Sequence, residues 1–353
     1  MSNRATYIPE KLSFYQKMQF KCFGFFRLQK GASIKLYKGF ANHKTCYIYG
    51  HAFSISPLKK KHFRSFFLYN AIALLRLFMV RPIKRAVVIL QWDGKVYEAK
   101  TASDGFFKFE WEHNQTLVPG QYEVEVMLIK RNSTNIVKAK ATGQVILPSS
   151  TAFSFISDID DTFLISHSSN LRKRLFVLLT ENAKSRKPFK GVVVHYRKLH
   201  GFDDTDPSNN AFFYVSSSEW NLYDYIKDFL KEHQLPDGIC LLNQVKTFSK
   251  LFSTGQNNHS GKFTRIVKII EAYPLQKFIL LGDDSQKDID IYSSIVEHFP
   301  QNVYCVYIRR VGNPEKPHVL LKQKMIENKG VFFYYFAHSE DAILHSQKIG
   351  LIN

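Results

Sequence analysis

The sequence predicts an α/β protein in which an N-terminal region of short β-strands precedes a C-terminal domain with a parallel sheet. From residue 151 onward, apolar strand candidates alternate with helical patterns, an order typical of parallel sheets with helices on both faces. Between residues 84 and 147, short alternating segments are separated by turn residues such as Asp93-Gly94, at the spacing of a β-sandwich. The length of 353 residues suits two domains, at about 150 residues each.

The N-terminal half divides into two predicted parts. Residues 1–83 are basic and aromatic, with a strand candidate at 45–49 and a helix candidate at 62–80. Basic residues flank that helix at both ends, a pattern that suits a helix at a membrane surface, although a helix packed against its neighbour is favoured. Residues 84–148 form the small β-sandwich-like domain, whose predicted strands are 85–90, 96–102, 106–111 and 122–126.

The C-terminal half is predicted to hold a catalytic domain at 150–312, followed by an extension at 313–353. Its strand candidates are 152–157, 211–216, 239–242, 277–282 and 303–309, and its helix candidates are 189–199, 219–233, 262–272 and 288–298. Active sites of such sheets form beyond the carboxyl ends of the strands. We therefore expect functional residues directly after each strand.

The net charge of +19 predicts attraction to polyanions such as anionic membranes, nucleic acids or phosphorylated substrates. Much of the basic excess lies in the N-terminal half, as at 59–64 and 81–85. Solubility alone is the simpler explanation of this charge. Four scattered cysteines indicate neither a disulfide framework nor a zinc site. With no signal-peptide pattern at the N-terminus, a cytoplasmic protein is expected, with a peripheral position at the membrane as an additional possibility.

Two carboxylates follow the first predicted strand of the C-terminal half. Asp158 and Asp160 are two residues apart where the chain leaves the strand, so both can face one pocket. One carboxylate can attack phosphorus as a nucleophile, and the other can protonate the leaving alcohol. Taken alone, the pattern DxDxT is weak and also fits a solvated acidic turn.

Other polar residues occur at the expected positions along the chain. Ser216 ends the second strand, where it suits a phosphate ligand or a helix cap. Lys262 opens a helix, where it could neutralise a phosphoryl group or be one surface lysine among many. Asp283 and Asp288 follow the fourth strand and supply hard oxygen ligands suited to Mg²⁺. The order of these four weak signals is strong evidence for phosphoryl-transfer chemistry.

These residues resemble the motifs of the haloacid dehalogenase superfamily. The closer resemblance is to the phosphatidate phosphatase catalytic domain of fungal actin-patch proteins and their bacterial relatives. The segments that carry it are Ser157-Asp-Ile-Asp-Asp-Thr162, Arg186-Lys-Pro-Phe-Lys-Gly191 with Tyr196-Arg197, Tyr214-Val-Ser-Ser-Ser-Glu-Trp-Asn-Leu-Tyr223 and Leu281-Gly-Asp-Asp-Ser-Gln-Lys-Asp-Ile-Asp-Ile-Tyr292. The resemblance implies a haloacid-dehalogenase-like Rossmannoid fold for this part of the chain.

The resemblance also implies a role for each motif residue. Asp158 is then the nucleophile, Asp160 the acid and base, and Lys262 a catalytic cation that also binds phosphate. The implied phosphate ligands are Thr162, Ser216, Ser217 and Lys262, and the implied Mg²⁺ ligands are Asp158, Asp160 through its backbone carbonyl, Asp283 and Asp288.

Two positions depart from the family pattern. Glu219 stands where the family usually has Pro, and Asp284 stands where it usually has Ser. Neither change removes a catalytic group. It stays open whether Asp284 contributes to the metal site.

The substrate implied by the resemblance is phosphatidate, a phosphorylated lipid in an anionic membrane surface. A phosphatase of the same mechanism that acts on a soluble phosphomonoester is the first alternative, and a non-catalytic phosphatidate-binding module is the second. No nucleic-acid recognition motif accompanies the basic charge. The oligomeric state and the role of the β-rich region are not predicted.

Overall fold

The computed structural model describes most of the chain. The described residues are 28–58, 75–114, 116–130, 136–160, 162–163, 188–201, 209–247, 258–285, 287–311 and 316–352. The predicted helix at 62–80 and the basic cluster at 59–64 lie largely or wholly outside these ranges. Only a short 3₁₀ turn, Arg76–Phe78, is described from that helix.

Nine β-strands form one sheet in the N-terminal half as far as the structure describes it. They are β1 (Leu28–Leu36), β2 (Gly39–Ala41), β3 (Thr45–Pro57), β4 (Arg81–Pro82), β5 (Val87–Trp92), β6 (Lys95–Lys100), β7 (Phe106–Glu112), β8 (Gly120–Lys130) and β9 (Ile136–Leu147). The strand order is β1-β3-β2-β9-β8-β5-β6, with β4 and β7 paired to β3. All of these pairs are antiparallel except β2 with β9.

This sheet extends beyond the predicted β-rich domain at 84–148. Strand β3 has 13 residues, long enough to pair with β1 near one end and with β7 near the other. Hydrogen bonds therefore connect strands from both sides of residue 84, while the β-sandwich-like form stays a prediction. The strand candidate at 45–49 was too short to reveal that connection.

The C-terminal half contains a six-stranded parallel sheet, as the alternating pattern predicted. Its strands are β10 (Phe153–Ser157), β11 (Phe212–Glu219), β12 (Ile239–Asn243), β13 (Lys277–Asp283), β14 (Val303–Arg309) and β15 (Phe332–Phe336). Their order is β12-β11-β10-β13-β14-β15, and every neighbouring pair is parallel. The sheet is almost entirely buried because its strands are nearly continuous apolar runs.

In the described part of the chain, six α-helices accompany this sheet. They are α1 (Val192–His200), α2 (Tyr223–Glu232), α3 (Asn258–Ala272), α4 (Asp288–His298), α5 (Pro317–Glu327) and α6 (Ser339–Lys348). Helix α4 has the predicted bounds, whereas α3 begins one turn before the predicted start at Lys262. Among the described residues, no helix combines the length and apolar character needed to cross a membrane.

The C-terminal segment is part of the sheet. Strand β15 pairs with β14 from Cys305 opposite Phe332 to Arg309 opposite Phe336. Only an extension was predicted here, because the aromatic run Phe-Phe-Tyr-Tyr-Phe shows neither alternation nor a helical period. Residues 313–353 therefore supply the edge strand of the sheet as well as α5 and α6.

The two sheets pack against each other through aromatic side chains. The ring of Tyr37 stacks on Trp220 with centroids 3.9 Å apart. Phe40 contacts Phe213 and Tyr273, with centroids at 5.7 Å and 6.2 Å. These residues belong to one continuous buried cluster that spans both halves of the described chain. We therefore expect the two halves to fold as one cooperative unit.

Replacing Phe40 with Ala tests this cooperativity. Phe40 is fully buried at the contact, so the substitution should lower the free energy of unfolding by about 3–5 kcal/mol. Unfolding in urea, monitored by hydrogen exchange of amides in both sheets, should show a single transition. Both sheets should unfold at the same urea concentration, which should be lower than in the wild type. Val96→Ala, at a side chain that is 60% exposed on β6, is the matched control. Destabilisation confined to the N-terminal sheet would contradict the prediction.

Candidate active site

The polar residues that the sequence placed after strands meet at the carboxyl edge of the parallel sheet. Asp158 follows β10, and Asp283 is the last residue of β13. Asp288 begins α4, and Lys262 lies in the second turn of α3. All four side chains are buried, with at most 2% exposure. A group of charged residues is therefore held out of water at the edge where active sites form.

Lys262 lies between two of the carboxylates. Its Nζ is 2.7 Å from Asp158 Oδ1 and also forms a short contact with Asp288 Oδ1. Oxygen atoms of Asp158, Asp283 and Asp288 all lie within 4.8 Å of one another. The cluster thus places three carboxylates around one ammonium group, an excess of two negative charges when every group is ionised.

The pKa values in this cluster reflect that excess of negative charge. Burial raises the pKa of Asp158 well above its usual range, and the charge of Asp288 adds to the shift. For Asp283, burial and the charge of Asp288 raise the pKa to about 7. Burial lowers the pKa of Lys262, but the charges and hydrogen bonds of Asp158 and Asp288 raise it by a larger amount. The pKa of Lys262 therefore lies above its usual value. The ammonium group stays charged, while Asp158 and Asp283 retain protons to an unusually high pH.

The donor set of this cluster fits a divalent metal ion. The three carboxylates offer hard oxygen ligands, which Mg²⁺ prefers in proteins. A divalent cation would also neutralise the two excess negative charges. The chemistry of the cluster is therefore consistent with the Mg²⁺ ligands named in the sequence analysis, of which Asp158, Asp283 and Asp288 lie together.

Thr162 connects two members of the cluster. Its Oγ1 is 3.2 Å from Asp283 Oδ2 and 3.4 Å from Asp158 Oδ2, and the residue is 4% exposed. A hydroxyl at these positions can donate to only one of the two carboxylates at a time. Thr162 therefore lies within reach of the acidic centre, where its hydroxyl interacts with the carboxylates.

The carboxylate of Asp160 contacts two serine hydroxyls. Ser218 Oγ donates to Asp160 Oδ2 at 2.6 Å, and Ser216 Oγ lies 3.4 Å from the same oxygen. The backbone N–H of Ser218 in turn donates to Ser216 Oγ at 2.9 Å. The carboxylate of Asp160 therefore has a fixed orientation within a network of hydroxyl groups.

The contact of Ser218 with Asp160 was not predicted from the sequence. The pairing of β11 with β12 is irregular between Val215 and Glu219, and Ser216 and Ser218 both approach Asp160 Oδ2 within this irregular segment. The role of Ser217 as a phosphate ligand stays a prediction. Regular strand alternation does not hold across this segment, so it could not have identified Ser218.

Gly282 is required by the close packing of the acidic turn. A Cβ atom at this position would lie 2.7 Å from Asp288 Oδ2 and 2.7 Å from the ring of Tyr292. No side chain fits in that space without displacing the Asp288 carboxylate. The glycine thus allows β13 and α4 to bring Asp283 and Asp288 together.

Asp284 and Glu219, the two residues that depart from the family pattern, both bind other side chains. Asp284 accepts hydrogen bonds from Tyr335 OH at 2.5 Å and from the Val311 N–H at 2.9 Å, and its Oδ1 is 3.2 Å from Lys316 Nζ. Glu219 pairs with Lys246 at 2.7 Å. Asp284 thereby joins its strand end to the C-terminal segment, and it is not among the three carboxylates that cluster in the described residues.

The similarity to known proteins covers the parallel-sheet part of the chain. Residues 153–310 match a family model described as the catalytic domain of phosphatidate phosphatase APP1. Phosphatidate phosphatase APP1 of Saccharomyces cerevisiae is 30% identical over 158 residues, which are 45% of this chain and 26% of that protein. An uncharacterized protein of Schizosaccharomyces pombe is 21% identical over 193 residues, 54% of this chain and 30% of that protein. The chain spans about a quarter to a third of the length of these relatives.

These matches confirm the resemblance to the phosphatidate phosphatase catalytic domain that the sequence motifs predicted. Every predicted site residue lies within 153–310. Among solved structures, the PilB minor pilin of Streptococcus sanguinis aligns over 76% of this chain and 86% of its own, with a TM-score of 0.29 and 12% identity. A likeness at that level carries no argument about function.

Replacing Lys262 with Met tests the electrostatic balance of the cluster. A carboxyl group whose pKa is raised on folding stabilises the folded protein at low pH. That contribution is lost as the pH rises through the raised pKa. The charge of Lys262 lowers the pKa of Asp158 and of Asp283, so removing the ammonium group should raise both values further. In metal-free buffer, the loss of unfolding free energy should therefore be small at pH 5 and reach about 3 kcal/mol at pH 8. Urea unfolding across this range measures it.

Lys329→Met, at an exposed position after α5, is the control for the loss of a positive charge. It should leave stability nearly unchanged at both pH values. A deficit for Lys262→Met that is equal at pH 5 and pH 8 would contradict the proposed balance.

Proposed function

We propose that this protein is a Mg²⁺-dependent phosphomonoester hydrolase that acts through an aspartyl-phosphate intermediate on a haloacid-dehalogenase-like Rossmannoid fold. The observation that carries the proposal is the buried cluster of Asp158, Lys262, Asp283 and Asp288 at the carboxyl edge of the sheet. The match of residues 153–310 to a phosphatidate phosphatase catalytic domain supports the same reaction class.

Asp158 is proposed as the nucleophile. A carboxylate oxygen of Asp158 attacks phosphorus, and the bond from phosphorus to the ester oxygen breaks. In the second half-reaction, water attacks the phosphorus of the aspartyl-phosphate, which releases inorganic phosphate and restores Asp158. Lys262, at 2.7 Å from Asp158 Oδ1, holds positive charge next to the carboxylate throughout.

Asp160 is proposed to move the protons. It donates a proton to the ester oxygen as the alcohol leaves, and it accepts one from the attacking water in the second half-reaction. Ser218 and Ser216 orient this carboxyl group, since both hydroxyls lie at Asp160 Oδ2. A hydroxyl that donates to the carboxylate can rotate to accept when the group is protonated.

The proposed metal ligands are Asp158, Asp283 and Asp288, with the backbone carbonyl of Asp160. Bound Mg²⁺ would offset the repulsion between Asp158 and a phosphate dianion and help to orient the phosphoryl group. Thr162 and Ser216 are proposed to bind phosphoryl oxygens, as is Ser217.

Phosphatidate is the proposed substrate, with diacylglycerol and phosphate as products. The description of the matched family supports this choice. The net charge of +19 supports action at an anionic membrane surface, where each basic residue contributes about 1 kcal/mol. We therefore propose a protein that binds membranes peripherally from the cytoplasm.

Replacing Asp158 with Asn tests the proposed nucleophile. The amide cannot attack phosphorus, so phosphate release in Mg²⁺ should fall by roughly 10³-fold or more. Asp160→Asn should lower the rate by about 10²–10⁴-fold, because it removes general acid–base catalysis. A colorimetric phosphate assay measures both rates, and chelation of Mg²⁺ should abolish the activity of the wild type.

Asp290→Asn is the matched control, since Asp290 lies on α4 with a partly exposed side chain that contacts His318. It should retain activity close to that of the wild type. Equal phosphate release by the wild type and by folded Asp158→Asn would show that Asp158 is not the nucleophile.

Comparing lipid and soluble substrates tests the proposed substrate class. Phosphate release from phosphatidate vesicles should exceed release from a panel of soluble phosphomonoesters at equal ester concentration. Raising the salt concentration should slow the vesicle reaction more, because salt screens the attraction to the anionic surface. Strong activity on a soluble ester with none on the vesicles would instead favour a phosphatase for soluble substrates.

A further inference from the structure

Arg309 is a buried cation at the carboxyl end of β14, next to the acidic cluster. The residue is 2% exposed. Its guanidinium carbon lies over two aromatic rings, 4.7 Å from the centroid of Phe189 and 4.8 Å from that of Phe336. Burial lowers the pKa of Arg309 to about 10, so the side chain stays charged at neutral pH. The roles proposed above leave this residue unassigned.

One side of the guanidinium group binds the backbone of Thr162, in the turn that follows the proposed nucleophile. Arg309 Nε donates to the carbonyl oxygen of Thr162 at 2.8 Å. The hydroxyl of Thr162 lies within hydrogen-bond distance of Asp158 and Asp283. The Phe163 N–H donates to the Ile159 carbonyl, so the turn that contains Asp160 closes next to this contact. Arg309 thus reaches the acidic cluster through one intervening residue.

The other side of the guanidinium group contacts the C-terminal segment. Arg309 Nη2 donates to Ser339 Oγ at 2.9 Å, and Nη1 lies 3.4 Å from the carbonyl oxygen of Ala337. Ser339 is fully buried and begins α6. Ala337 and Ser339 lie beyond residue 310, where the family match ends. A part of the chain outside the matched region therefore supports the turn that follows Asp158.

The geometry requires a guanidinium group rather than a simple positive charge. The planar group of arginine presents donors in a rigid fork and stacks on aromatic rings. In Arg309, this fork joins the Thr162 backbone to Ser339, and the group also contacts the rings of Phe189 and Phe336. A lysine has one terminal donor group and cannot make the two contacts in the same geometry.

We propose that Arg309 is a positioning residue that couples the C-terminal segment around Ser339 to the turn carrying Asp158 and Thr162. The inference rests on the proposed function, because it assigns a support for that same site. Arg309 contacts none of the proposed reacting atoms. It acts on the proposed nucleophile through the backbone of Thr162. The C-terminal segment then contributes to turnover as well as to the sheet.

The first experiment measures kcat and KM on a soluble phosphomonoester for Arg309→Ala, Arg309→Lys and Ser339→Ala. Arg309→Ala should lower kcat by about 10–100-fold with little change in KM, as expected for a group that orients catalytic residues. Arg309→Lys should recover little of that loss, and millimolar guanidinium chloride should recover more of it in Arg309→Ala. Ser339→Ala should lower kcat by about 2–10-fold, because it removes one of the hydrogen bonds that orient the guanidinium group.

Arg197→Ala is the matched control, since Arg197 lies on α1 and its Nη1 donates to Gln234 on the protein surface. It should show wild-type kcat and no response to guanidinium. Wild-type kcat in folded Arg309→Ala would overturn the proposal. If Arg309→Ala does not fold, Arg309→Lys and Ser339→Ala decide, and wild-type kcat in both would overturn it.

A second experiment does not depend on activity. Hydrogen–deuterium exchange at the amides of Phe163 and Phe189, which flank the Arg309 contacts, should be faster in Arg309→Lys and Ser339→Ala than in the wild type. Exchange in β11 and β12 should stay unchanged. If the wild type releases no phosphate from any ester, the proposed function fails, and this measurement still decides the coupling. Unchanged exchange at both amides would overturn it.

Discussion

Three buried carboxylates share one lysine ammonium group at the carboxyl edge of the parallel sheet. Asp158, Asp283 and Asp288 lie within 4.8 Å of one another, and burial raises the pKa of Asp158 and of Asp283. Lys262 offsets only part of this repulsion. Such a centre favours the addition of positive charge, which a divalent cation would bring. The proposed function depends on this balance, because a nucleophilic carboxylate must approach a phosphate dianion.

The fold holds the cluster together from distant parts of the sequence. Parallel strands bring their carboxyl ends to one edge, so β10 and β13 place Asp158 beside Asp283. Gly282 allows Asp288 to approach, since a Cβ atom there would lie 2.7 Å from that carboxylate. The N-terminal sheet packs against the same domain through Tyr37 and Trp220. Trp220 follows β11 directly, so this packing supports the strand that carries Ser216 and Ser218.

Much of the fold and the positions of the candidate site residues followed from the sequence, because parallel strands are apolar runs whose ends carry the polar residues. The bounds of β14 and α4 were predicted as the structure has them. Contacts that depend on pairing between distant segments were not predictable in this way. The single N-terminal sheet depends on the pairing of β3 with β7, and the edge strand β15 depends on its pairing with β14. Arg309 gave no signal because its partners, Thr162 and Ser339, are far from it in sequence.

Detection of the phosphorylated enzyme tests the central claim most directly. The wild type and Asp160→Asn would be mixed with a phosphomonoester labelled with radioactive phosphorus in the presence of Mg²⁺ and quenched in acid within one turnover. The proposed mechanism predicts that the protein becomes labelled in the peptide that contains Asp158 and that hydroxylamine removes this label. The labelled enzyme should persist longer in Asp160→Asn. Phosphate release without any labelled protein, or label on a peptide that lacks Asp158, would contradict it.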